Sequence, residues 1–104
     1  MGYLSAYSPG VMERVAERRM RLWGLQPSYG FIPECLVALN ADHVGEYVVL
    51  VYSETGWVEV CWVVDTCQPL DRPARERAGM VAEVNWPTFE RLGNGPVMVL
   101  LLGR

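Results

Sequence analysis

The segment "EYVVLVYSETGWVEVCWVVD", residues 46–65, constrains the fold more than any other part of the chain. Two runs rich in valine, tyrosine and tryptophan flank Glu54, Thr55 and Gly56, a tight-turn tripeptide. β-Branched and aromatic residues suit a pleated, half-buried surface. The segment therefore reads as a hairpin, with strands over 46–53 and 57–65. In the second strand Val58, Val60, Trp62 and Val64 alternate onto one face, and Trp57, Glu59, Cys61, Val63 and Asp65 onto the other. The first set is the better core. It is expected inside, with Glu59 and Asp65 keeping solvent contact.

The rest of the chain supplies more short strands, at 2–7, 35–39, 80–84 and 96–102, which makes six with the hairpin. Between the first two, residues 9–23 carry helix signals: Ser8 as an N-cap, Pro9 in the first turn and Gly24 as a stop. Met12, Val15, Ala16, Met20 and Trp23 lie near one face of that helix at helical spacing. Arg14, Arg18 and Arg21 lie on another, where Glu17 is spaced to pair with Arg21. Glu13 and Glu17 interrupt this positive stripe, so it reads as a solvated face rather than an anion site. Residues 24–34 and 66–79 read as loops. Asn85 is expected to cap a short helix over 86–92, which Gly93 ends. This pattern is that of a small β-barrel with helical connections.

Bulk properties narrow the function classes. A chain of 104 residues holds a single domain, here 1–104. A net charge of -3 argues against nucleic acid as the main partner. No apolar run reaches the roughly 18 residues of a membrane span. The opening "MGYLSAYSPG" has neither a basic start nor an apolar stretch, so no signal peptide is expected in this chain. Cys35, Cys61 and Cys67 leave one thiol over whichever pair is bridged, and the sequence does not choose the pair. Their spacing, with His43 the sole histidine, does not suit a zinc site, and no metal or cofactor is expected.

In order along the chain, "GYLSAYSPG", "LVALNADHVGEYVVLVYSETGWVEVCWVVDTC" and "VAEVNWPTFERLGNGPVMVLLL" resemble the double-psi β-barrel domain of rare lipoprotein A and the expansin-like proteins. The resemblance covers most of the chain outside the helix at 9–23 and the loop after it. It implies a mainly β fold, a small six-stranded double-psi β-barrel with an N-terminal helix and a short late helix. It matches Asp65 to the aspartate that lytic members use as their acid. Glu83 stands where expansins and related endoglucanases carry an aspartate, and Asn85 at the following serine. Tyr7 matches the aromatic residue of the first strand. Two departures weaken the implied activity. Leu39 stands where lytic members have a histidine, and Thr66 and Cys67 replace the Arg-Gly of the lytic motif.

The resemblance thus implies a glycan-strand binding domain, with peptidoglycan as the polymer, and either weak lytic transglycosylase-type cleavage led by Asp65 or binding alone. Asp65 and Glu83 are the expected catalytic residues. Cleavage of a glycosidic bond needs a carboxyl that protonates the leaving oxygen, usually with a second carboxylate. A plainer role for Asp65 is to accept backbone N–H bonds in the following turn. For Glu83 it is an ion pair with Arg75, Arg77 or Arg91. Tyr7 and Trp57 are the expected groove wall, because aromatic rings offer sugars an apolar face with a polar rim. The expected setting is the cell envelope, the extracellular space or a virion. The rival expectation is a non-catalytic assembly module, such as a phage tail or particle component, with protein partners.

Overall fold

In the computed structural model, which describes residues 1–67 and 71–104, the hairpin forms as read. Strand β3 (Tyr47–Tyr52) pairs antiparallel with β4 (Val58–Thr66), setting Tyr47 opposite Trp62 and Val49 opposite Val60. Gly56 closes the turn at φ +73°, a left-handed conformation that favours glycine, and its N–H donates to the Tyr52 carbonyl at 2.8 Å.

Four further strands complete one sheet: β1 (Tyr3–Ala6), β2 (Cys35–Leu39), β5 (Met80–Val84) and β6 (Val97–Gly103). Their order is β1-β5-β2-β4-β3-β6. The β1–β5 and β2–β4 pairs are parallel; β2–β5, β3–β4 and β3–β6 are antiparallel. Among the described residues the protein is thus mainly β, with a six-stranded mixed sheet and three helices: α1 (Val11–Trp23), α2 (Arg72–Arg77) and α3 (Trp86–Leu92). The sheet is not closed. Its two edges touch at a single bridge, where Gly2 and Val97 exchange N–H bonds at 2.9 and 2.8 Å.

The sheet is buried on both faces. On one, Leu4, Cys35, Val48, Cys61, Ala82 and Val97 form a cluster that draws a residue from every strand. In a flat sheet the edge strands would lie about 24 Å apart, at ~4.8 Å per pair, so a shared cluster requires the sheet to curl. On the other face Leu36, Ala38, Tyr47, Trp62 and Val64 pack beneath Met12 and Ala16 of α1.

This corrects the expected sidedness of β4. Trp62 and Val64 are buried, but under α1 and not in the six-strand cluster, which takes Cys61 and Val63 instead. Val58 and Val60, expected inside, are 56% and 37% exposed. Alternation selects one core face only when the other meets water, and a strand covered on both sides reads as a continuous apolar run. "CWVV" is such a run.

The helices depart from expectation at their starts. Ser8, Pro9, Gly10 and Val11 form a turn closed by the Val11 N–H on the Ser8 carbonyl at 3.1 Å. Proline second and a glycine at φ 79°, ψ -11° third match a type II turn. Ser8 therefore precedes the helix rather than capping it, and α1 begins at Val11. Gly24, at φ 72°, ends it as expected. Helix α2 lies inside the expected loop 66–79, which showed no apolar periodicity; residues 68–70 of that loop lie outside the described residues. Helix α3 has the expected bounds, but Asn85 makes no side-chain cap. Its Oδ1 accepts from Leu36 N–H (3.0 Å) and Thr88 Oγ1 (2.7 Å), and its Nδ2 donates to Glu34 O (2.9 Å) and Glu13 (2.8 Å). Asn85 is a buried cross-link joining α1, β2 and α3. Cys35 and Cys61, register partners on parallel β2 and β4, form a disulfide; Cys67 is a buried free thiol.

Candidate functional site

The site is built by an irregularity in β4. Along the β2–β4 pair Val37 faces Val63, but Ala38 faces Asp65, so Val64 is an inserted residue. A bulge of this kind re-aims the side chains that follow it. Alternation alone had placed Asp65 with Glu59, Cys61 and Val63. The bulge moves it to the α1 face, beside Ala38. There Asp65 Oδ1 accepts from Arg19 of α1 at 2.9 Å and from the Thr66 N–H at 2.9 Å, while Oδ2 accepts from the Tyr7 hydroxyl at 2.7 Å.

Glu83 reaches the same neighbourhood from the other side. Ala38 faces Asp65 across β4 and Glu83 across β5, so the two carboxylates flank one alanine on one face. Their backbones stand two strand spacings apart, about 10 Å. Arg75 of α2 pairs with Glu83 at 2.7 Å and donates to Ser5 Oγ at 3.0 Å and to Asn40 Oδ1 at 3.3 Å. Arg75 is thus the partner of Glu83, among the three arginines weighed for it. The Arg75 Nη2 is buried with no acceptor among the described residues.

Tyr7 follows β1 and is tied to β5 by its N–H on the Val84 carbonyl at 2.9 Å. Burial, the hydrogen bond to Asp65 and the charges of Asp65 and Glu83 all push its hydroxyl well above the ordinary tyrosine range. It remains a neutral donor. Cys67 lies in the same field: burial pushes its thiol up, with Arg75 and Arg72 opposing and Glu83 and Asp65 assisting. Arg72 fixes the strand end by donating to Thr66 Oγ1 at 2.9 Å and to the Cys67 carbonyl at 3.1 Å.

Beside this cluster, in the angle between α1 and the sheet, runs an open groove of about 450 Å³. Val11, Arg14, Val15, Arg18, Arg19, Trp23 and Asp65 line it. Trp23, 75% exposed, supplies its aromatic wall. The sequence reading had set Trp23 on the buried face of the helix. Helical spacing puts Trp23 in line with the buried Met12 and Ala16, so the sequence carried no signal of its exposure.

Three of the four expected site residues come together: Tyr7, Asp65 and Glu83. Trp57 does not join them. It lies eight residues before Asp65, roughly 26 Å away along the strand at ~3.3 Å per residue, and its indole N–H faces Glu59 at 3.3 Å. Leu39, where the resemblance sets a histidine in lytic members, points into the six-strand cluster on the face opposite Asp65. His43 pairs instead with Glu46 at 2.7 Å.

Chemically, the arrangement engages Asp65 as an acceptor. Both oxygens of Asp65 accept, and among the described residues no neighbour accepts from it. To protonate a leaving oxygen it must first be freed from Arg19. Among the described residues no group of histidine, cysteine, aspartate and glutamate side chains is placed to hold a metal, and no helix is long and apolar enough to cross a membrane. No family model matches the chain, and no curated protein matches it significantly.

Proposed function

We propose that this chain is a glycan-strand binding domain, with peptidoglycan as its polymer, built as a double-psi β-barrel of the rare lipoprotein A and expansin type. Two parallel strand pairs set around antiparallel β2–β5, a cluster shared by six strands and the Gly2–Val97 bridge support the barrel reading. The observation that carries the function is the open groove beside Asp65, which has an exposed tryptophan on one side and hydrogen-bonding charges on the other. Sugars are bound by that combination of a ring face and polar groups. The setting is the cell envelope, the extracellular space or a virion.

Binding outweighs cleavage in this reading. The Asp65–Glu83 backbone spacing approaches the roughly 5–9.5 Å carboxyl separations of glycosidases, yet each carboxylate is already engaged by an arginine. Lytic cleavage led by Asp65 is accordingly weak. The test is incubation with purified sacculi, followed by analysis of pellet and soluble fractions. The expected result is co-sedimentation with little release of soluble fragments; failure to sediment overturns the reading.

One observation favours a second reading, a non-catalytic assembly module such as a phage tail or particle component. Strand β6 is an edge of the sheet, and Met98, Leu100, Leu101 and Leu102 on it are exposed. An apolar edge strand is a ready template for another chain. Concentration-dependent assembly in light scattering, without sacculus binding, is the result this reading requires.

A further inference from the structure

Resting on the glycan reading, the geometry points, we propose, to a ligand of particular charge: the α1 groove binds a carboxylate-bearing glycan, with Arg14 and Arg18 as the anion contacts and Trp23 as the sugar platform. Val11, Arg14, Val15 and Arg18 recur at helical spacing and Trp23 stands one turn after Arg19, so α1 presents apolar and guanidinium groups along the groove. The groove holds three arginines and one carboxylate. Asp65 is matched by Arg19 at 2.9 Å, whereas neither Arg14 nor Arg18 has a carboxylate partner among the described residues.

The two acidic residues that break the stripe in sequence do not line the groove in space. Glu13 turns away from the groove and accepts from the buried Asn85 at 2.8 Å. Glu17 is exposed and does not line the groove. What remains is a concave surface with uncompensated positive charge and an open indole. Arginine engages carboxylates through paired N–H groups in a fixed fork. A neutral sugar would leave both guanidiniums without a counter-charge; a glycan carrying carboxylates supplies it.

The experiment compares sedimentation with native sacculi and with sacculi whose carboxyls have been amidated. It uses the unmodified chain, Trp23→Ala and the double variant Arg14→Gln/Arg18→Gln. The unmodified chain is expected to bind native sacculi about tenfold more tightly than amidated ones, a typical factor for a charge-assisted contact. That preference should shrink as salt screens the groove. The double variant should lose the preference while keeping its melting temperature, because both arginines are exposed. Trp23→Ala should weaken binding to both preparations equally. Electrophoretic retardation by polygalacturonate places the recognised carboxylate on the sugar, whereas retention of the preference without it places the carboxylate on the peptide stems. Equal affinity of the unmodified chain for native and amidated sacculi overturns the anionic assignment and leaves the glycan reading standing. Binding to neither overturns both.

Discussion

The two ends of β4 carry similar residues and lead different lives. At its start Trp57, Val58 and Val60 are exposed, while Glu59, partly buried, pairs with Arg91 of α3. At its end Trp62, Val64 and Asp65 lie beneath or beside α1, and Asp65 pairs with Arg19. Each end has an aromatic residue, valines and a carboxylate held by arginine. Only the second end has a helix over it. The helix excludes water from Trp62, brings Arg19 to Asp65 and creates the groove. Beyond its arginine, the carboxylate at the covered end has two further donors, Tyr7 and the Thr66 N–H, and Glu59 has one, the Trp57 indole. An ion pair gains strength from such fixed partners and little from proximity alone at an open surface.

The sharpest break of this comparison is a large-to-small substitution at each end. Trp62→Ala should cost about 3–5 kcal/mol, as for a fully buried aromatic, and Trp57→Ala less than ~1 kcal/mol, read as unfolding midpoints in urea. Equal losses would mean that α1 does not seal its end of the strand. Asn85→Ala comes next. Loss of a helix cap alone costs about 1 kcal/mol. Removing a buried group that serves Leu36, Glu34, Glu13 and Thr88 should cost about 2–4 kcal/mol, because it strands their polar atoms.

The carboxylates provide a finer contrast. Asp65→Asn should lower stability by about 1–2 kcal/mol and Glu59→Gln by about 1 kcal/mol, because Asp65 accepts from three donors and Glu59 from two. In sacculus digests Asp65→Asn should abolish whatever soluble release occurs, since an amide carries no transferable proton. Arg19→Ala should raise release by freeing the acid. Release that persists in Asp65→Asn would leave Asp65 a structural residue.

The smallest effect is in alkali. Tyr7 has its ionisation raised above the ordinary value of 10.0 by burial first, then by Asp65. Above about pH 10 the unfolded chain gives up this proton while the folded chain keeps it. The stability contributed by Tyr7 is therefore fully present below pH 10 and lost as pH rises beyond it. Tyr7→Phe should flatten that decline, measured as melting temperature between pH 9 and 11. Tyr47 and Tyr52 are raised by burial as well and should supply the residual slope.

Strand positions were legible because valine-rich runs and glycine turns are local signals. The bounds of β2, β5 and α3 follow from "CLVAL", "MVAEV" and "WPTFERL" as read. Helix α2 was not legible: its six residues, four of them charged, have no apolar face to betray them. The site was half legible. A carboxylate at the end of β4 and another on β5 could be named, and so could Tyr7. Their meeting around Ala38 could not, because strand order and register are long-range properties.

By itself the sequence determined the elements: where strands run, where glycine and proline end them, and which residues bear charge or rings. These follow from each residue's own backbone and side-chain preferences. Tertiary structure decided the rest. One inserted residue at Val64 reverses the parity of β4 and carries Asp65 to the helix side. The docking of α1 makes a second core of the Trp62 and Val64 face and sets Glu13 against Asn85, away from the arginine stripe, while on the opposite face the β2–β4 register pairs Cys35 with Cys61. Each outcome depends on which distant segment arrives as neighbour, and period-2 alternation holds no record of that.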